Sequence, residues 1–211
     1  MQINQIVLGM YATNTFIVRG PLPGVCLLVD PADDAPQLIQ TMERLGVEPA
    51  AVLLTHGHHD HLLAVPDLQK RWPALPVYCH AQDIPNSPTR IDRGEPVPTP
   101  AALGNLRVVQ GGDTLELIGL TIHVMHTPGH TPGSVTYMLD DVLFTGDTLF
   151  CESVGRTDFV GGSIEQMHDS LAQLAALPGE WQVLPGHGRL STLDHERTFN
   201  PYLGQTAQQS L

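Results

Sequence analysis

Seven consecutive residues, Thr55-His56-Gly57-His58-His59-Asp60-His61, constrain this chain more than any other stretch. They follow an apolar run, Ala51-Val52-Leu53-Leu54, of the length of a buried strand, so the polar cluster falls where that strand ends. Along extended backbone, side chains two apart project to the same side. His56 and His58 can therefore face one metal ion. A turn into a helix at His61 would swing Asp60 and His61 toward a second ion. Imidazole and carboxylate are ligands that zinc, iron and manganese all accept without a thiolate. Ionisable groups crowd in this way where they share a task.

The bulk of the chain narrows the classes of partner. Its 211 residues are 42% hydrophobic, enough for a real core. Against 22 acidic residues stand only 10 basic ones, a net charge of −12 with histidine neutral. Nucleic-acid binding rests on Lys and Arg neutralising phosphates, so no nucleic-acid partner is expected. A membrane partner is not expected either, since no apolar run reaches spanning length. The N-terminus, Met1-Gln2-Ile3-Asn4-Gln5, lacks the charged and apolar regions of a signal peptide. Cys26, Cys79 and Cys151 are odd in number and widely spaced, which does not make a disulfide framework. A reducing cytoplasm is the expected setting.

Read in order, residues 3–8, 15–19, 25–30 and 51–54 are expected strands. Between them, Asp34 with Gln37 three residues on opens a helix that Gly46 closes, with Leu38, Met42 and Leu45 on its inner face. A second helical stretch is expected from about His61 to Trp72, then a strand at 76–79. Residues 81–104 carry prolines without periodicity and read as one long loop, a rim or lid over a site. Strands resume at 106–109, 114–118, 120–126, 134–139 and 142–145. Ser163 with Gln166 caps a third helix whose apolar face is Ile164, Met167, Leu171, Leu174 and Leu177. The last strand is 181–184. Three further polar sites, His130 in Thr127-Pro128-Gly129-His130, Asp147 in Gly146-Asp147-Thr148, and His187 in Pro185-Gly186-His187-Gly188, also adjoin short apolar strands. All four would converge at one edge of the sheet layers, as in α/β folds.

These motifs, in this order, resemble the metallo-β-lactamase-fold hydrolases. More narrowly they resemble the single-domain glyoxalase II-like (hydroxyacylglutathione hydrolase-like) branch, through Gly146-Asp147-Thr148-Leu149-Phe150, Gly155-Arg156-Thr157-Asp158-Phe159 and the closing Asn200-Pro201-Tyr202-Leu203. The resemblance implies an α/β fold, an αββα sandwich of two mixed β-sheets flanked by helices, as one domain over 1–211 without a separate C-terminal glutathione-binding helical domain. It implies that His56, His58 and His130 hold a first metal ion, that Asp60, His61 and His187 hold a second, and that Asp147 bridges them. The cofactors would be two divalent ions, zinc first, with iron or manganese accepted by the same ligands. The partner would be a small-molecule thioester or ester such as S-D-lactoylglutathione, attacked by hydroxide generated between the metals and oriented by Asp60 and Asp147 as catalytic residues.

Other readings of the same residues are a persulfide dioxygenase with one iron on His56, His130 and Asp147, a lactonase or β-lactamase, and a metal-binding scaffold without turnover. His59 is expected to support the site or to stand exposed, and not to hold metal, and His123 and His126 to be structural or to support the site. His80, His168 and His195 carry no motif. Cys151 is expected to be a small buried side chain. Ala64 stands where the family often has glycine.

Overall fold

The computed structural model describes residues 1–203. The N-terminal half runs β1 (Gln2–Leu8), β2 (Thr13–Arg19), β3 (Val25–Val29), α1 (Ala35–Leu45), β4 (Glu48–Leu53), α2 (Val65–Arg71), β5 (Val77–His80), the hairpin β6 (Thr89–Asp92) and β7 (Glu95–Pro98), and β8 (Leu106–Val109). The C-terminal half runs β9 (Thr114–Leu117), β10 (Leu120–His126), β11 (Val135–Leu139), β12 (Val142–Gly146), β13 (Leu149–Phe150), β14 (Ser153–Val154), α3 (Ile164–Ala175), β15 (Gln182–Pro185), β16 (Ser191–Thr192) and α4 (Leu193–Phe199).

Two six-stranded sheets result, ordered β1-β2-β3-β4-β5-β8 and β16-β15-β12-β11-β10-β9. Each is mixed: β3, β4, β5 and β8 run parallel, as do β12 and β15, while the remaining neighbours are antiparallel. The period of two along a strand sorts the apolar runs into layers. Phe16, Val18, Leu27, Val29, Ala51 and Leu53 meet Ile122, Tyr137, Val142 and Phe144 between the sheets. Their alternates, Ile17, Cys26, Leu28 and Val52, face outward onto Leu38 and Met42 of α1 and Leu68 of α2. Leu143 and Val183 of the second sheet face Met167, Leu171 and Leu174 of α3. The layers are α, β, β, α, the sandwich that the resemblance implies.

Local signals set the helix ends. The Asp34 side chain accepts from the Gln37 amide, and Gly46 ends α1 at φ 68°. Ser163 accepts from the Gln166 amide at the start of α3. Burying Met167, Leu171 and Leu174 contributes roughly 1.5–3 kcal/mol each, whereas Ile164, expected on that face, is exposed. Among the described residues no helix is long and apolar enough to cross a membrane.

Two expectations are corrected. The helix expected from about His61 starts only at Val65, after a 3-10 turn over His59–His61, with Pro66 in the first turn where its missing N–H is not needed. The expected loop at 81–104 contains the β6–β7 hairpin. Arg93 and Gly94 form its two-residue turn, both at positive φ (48° and 89°). Ile91 faces Pro96 and Thr89 faces Pro98, alternate pairs that exchange no ladder hydrogen bond, so neither proline is missed as a donor.

Candidate metal centre

The four polar sites do converge, at the end where β4, β12 and β15 finish. A bridge between Thr13 and His187, and hydrogen bonds from the Asn14 amide to Gly186 O (2.7 Å) and Asn14 Nδ2 to Pro185 O (2.9 Å), tie the start of β2 to the end of β15. The two sheets are thereby held together at the site. Gly129, at φ 142°, lets the Thr127–Ser134 loop lie on α3; a Cβ there would sit 2.5 Å from Met167 Cα. Gly186 is required for the same kind of reason: a Cβ would collide with the Asp147 carboxylate.

The nitrogens of His56, His58 and His130 converge, with His58 Nδ1 at 3.1 Å from His56 Nε2 and 2.9 Å from His130 Nε2. A second group is Asp60, His61 and His187. His187 Nε2 is 3.4 Å from Asp60 Oδ2, and His61 Nε2 is 3.7 Å from it. Asp147 reaches both groups: its Oδ2 is 3.5 Å from His130 Nε2 and 3.5 Å from His187 Nε2, and its Oδ1 is 3.4 Å from His61 Nε2. All seven residues expected from the sequence are brought together.

The inward nitrogens are selected from outside. The opposite ring nitrogen of each of four histidines is engaged: His61 Nδ1 with Asp30 Oδ2 (2.8 Å), His130 Nδ1 with Arg156 O (2.7 Å), His187 Nδ1 with Tyr11 O (3.1 Å) and His56 Nδ1 with Thr55 Oγ1 (3.2 Å). Such partners fix ring orientation and leave a lone pair on the inner nitrogen.

Charge and burial agree with a cation at this place. Burial first, then His130 and Arg90, push His58 down to about 3, and burial likewise lowers His56, so both rings are neutral and able to ligate a cation. Burial acts to raise the carboxyl of Asp60, but the His187 and His61 rings more than reverse it. Burial also disfavours a charged His61, yet the Asp30 and Asp147 carboxylates outweigh it and raise that ring well above the ordinary histidine range. Among the described residues no lysine or arginine pairs with Asp60 or Asp147. His61 Nε2 and Asp147 Oδ1 are buried without a hydrogen-bond partner, a cost that natural folds avoid unless something else binds there. Divalent metal ions fit this donor set.

Other expectations fall out differently. His59 is buried, edge-on to Tyr11 and 3.4 Å from Asp92, and belongs to none of the ligand clusters. His126 holds Pro132 O at 2.8 Å and stacks on His80, which pins the loop bearing His130. Cys151 is half-buried and not buried as expected: it lies beside Arg189, whose Nε donates to its sulfur at 3.0 Å, with Glu152 and His195 nearby. Reading the sequence did not single out Asp30, Asp83, Tyr11 or Arg90. Asp83 accepts from the Gly57 amide (2.8 Å), the Thr131 hydroxyl (2.7 Å) and the Gly133 amide (2.7 Å), joining the loops of the first three histidines. The one cue was its place in a segment flagged as a rim.

A cleft of about 460 Å³ opens over five of the seven, His58, Asp60, His130, Asp147 and His187, walled by Tyr11, Phe150, Val154 and Phe159, with Arg90 and Asp92 of the hairpin at its edge. The 81–104 segment is thus part of the rim.

Comparison with known proteins agrees with this geometry. Residues 8–187 match the model of the metallo-beta-lactamase superfamily, and the chain belongs to that family of metal-dependent hydrolases. Hydroxyacylglutathione hydrolase of Xanthomonas oryzae pv. oryzae is 40% identical over 164 residues, 78% of this chain and 56% of that protein. The BLEG-1 B3 metallo-beta-lactamase superposes with a TM-score of 0.85 at 34% identity, over 96% of this chain and 99% of the other. TTHA1623, solved in a di-iron-bound form, superposes with a TM-score of 0.82 at 34% identity, over 95% and 100%.

Proposed function

We propose that this chain is a binuclear-metal thioesterase acting on a substrate such as S-D-lactoylglutathione and releasing a hydroxy acid and a free thiol. The observation that carries this reading is the position of Asp147, whose two oxygens face His130 and His187 on one side and His61 on the other. Similarity to a hydroxyacylglutathione hydrolase supports the choice of substrate.

Divalent ions held by His56, His58 and His130 and by Asp60, His61 and His187, with Asp147 shared, would bring water ionisation near neutral pH and polarise a carbonyl. The chain does the rest. Asp60, with Thr13 Oγ1 at 3.4 Å from its Oδ2 and His187 on the same oxygen, is held in place to orient the attacking water. Phe150, Val154 and Phe159 shield one side of the cleft, where lower water content strengthens each polar contact. A thiol leaves readily at neutral pH, so a thioester needs no dedicated acid, and the cleft has no lysine lining it.

Hydrolysis of S-D-lactoylglutathione by protein reconstituted separately with zinc, iron and manganese tests this, with Asp147→Ala beside it. Turnover lost in the variant supports the reading. Full metal occupancy without turnover refutes it, and oxygen uptake with glutathione persulfide would move the chain to dioxygenase chemistry.

A further inference from the structure

We infer that Arg90 and the pocket behind it form a subsite for a carboxylate carried on an arm of the substrate. The proposal rests on the thioesterase reading for its chemistry, and it concerns how that substrate is chosen.

The cleft over the metal ligands is one of two adjoining spaces. The other, of about 430 Å³, lies between the hairpin and the Thr131–Pro132 loop, lined among others by Gln82, Ser87, Thr89 and Val160. His58 and Arg90 are the two residues that line both. The two spaces meet at these residues, so an arm of a molecule whose reacting carbonyl sits over the ligands comes within reach of Arg90 and the second space.

Charge then specifies what it carries. On a chain with net charge −12 and only 10 basic residues, Arg90, Arg93 and Arg156 gather at one rim. Arg93 lies over the Tyr11 ring, 5.0 Å from its centroid. Arg156 is held by Asp158 through two contacts of 2.6 Å. The guanidinium of Arg90, exposed on β6, forms no hydrogen bond or ion pair among the described residues, although it is near enough to act on His58 and Asp92. Asp92, next on the same side of the strand, is occupied by the Tyr11 hydroxyl (2.7 Å) and His59. Asp83, the carboxylate of the second space, spends both oxygens on Gly57, Thr131 and Gly133. An unpaired guanidinium thus faces a space without a free anion. Its planar fork matches a carboxylate with two parallel N–H bonds. A phosphate, with about two charges, would call for more than the single cation that lines this space.

Two matched pairs of thioesters test the subsite, with the carboxylate on either side of the reacting bond. One is a succinyl thioester and its succinamoyl counterpart; the other is lactoyl 4-mercaptobutyrate and its primary amide. The metal-loaded protein should favour the acid over the amide by about tenfold or more in kcat/KM in at least one pair, the scale of one charge-assisted hydrogen bond. Arg90→Gln should erase that preference, lowering kcat/KM for the acid about tenfold more than for the amide, and Arg90→Lys should restore part of it. Calorimetry with non-hydrolysable thioethers of the same arms reads the preference without turnover. If no thioester is cleaved but the acid thioether still binds better through Arg90, the subsite stands and thioesterase chemistry falls. Equal affinity for acid and amide in both wild-type pairs, or an Arg90→Gln loss shared equally by acid and amide, overturns the subsite.

Discussion

Asp30 and His61, 31 residues apart in sequence, meet at 2.8 Å with both side chains fully shielded from solvent. The contact holds a proton on His61 Nδ1, so that Nε2, facing Asp147, is the nitrogen offered to a cation. Asp30 can do this because its other contacts, from the Thr55 amide (2.8 Å) and hydroxyl (2.7 Å), hold it rigid at the end of β4.

Replacing Asp30 with Asn keeps the shape but presents N–H where His61 needs an acceptor, reversing the ring's tautomer. Zinc affinity should fall about 10–100-fold in competition with a chromophoric chelator. Unchanged affinity would show that the tautomer is not set by Asp30.

Asp83→Ala should lower stability by about 2–4 kcal/mol in urea unfolding, because a half-buried amide, a buried amide and a buried hydroxyl lose a charged acceptor. Metal affinity should fall with it, since the loops of His56, His58 and His130 are no longer joined. A loss under about 0.5 kcal/mol, ordinary for a surface change, would contradict this role.

The seven candidate ligands were legible because their chemistry is written in short, dense motifs at strand ends. The caps of α1 and α3 were equally local, with Asp34 and Ser163 each bonding an amide three residues on. Asp30 and Asp83 act on residues 25 to 50 positions away, and nothing beside them in sequence says so. The β6–β7 hairpin was hidden because Pro96 and Pro98 mask its alternation, while the positive-φ turn at Arg93-Gly94 lacks the usual Asn-Gly signal. The late start of α2 follows from the tight turn at His59–His61, which already delivers Asp60 and His61 to the site.

Thiol reactivity should be ordered by burial. Burial pushes Cys26 up to about 12 and raises Cys79 as well, whereas Cys151 is half-buried and reachable. Native protein at about pH 8 should react with a disulfide reagent at Cys151 first, by peptide mapping, since the thiolate is the nucleophile. An unfolded thiol ionises near 8.5; with Cys26 held higher in the fold, stability should be intact below about pH 8.5 and decline as pH rises toward 12. Equal labelling of all three cysteines in native protein would contradict the burial argument.

Tyr11→Phe removes the hydrogen bond to Asp92 that ties the hairpin to the N-terminal sheet. Hydrogen exchange in residues 89–98 should quicken, and KM should change more than kcat, because the hairpin borders the cleft without touching the ligand clusters. An unchanged exchange rate would show that the hairpin stands without this tie.

The most direct test of the account is the number of metal ions each chain binds. Apoprotein titrated with zinc, freed of excess and assayed by elemental mass spectrometry should hold two ions per chain. Asp147→Ala should hold fewer, because that one carboxylate faces both ligand groups. One ion or none in the wild type, or two in the variant with undiminished affinity, would contradict a shared binuclear centre.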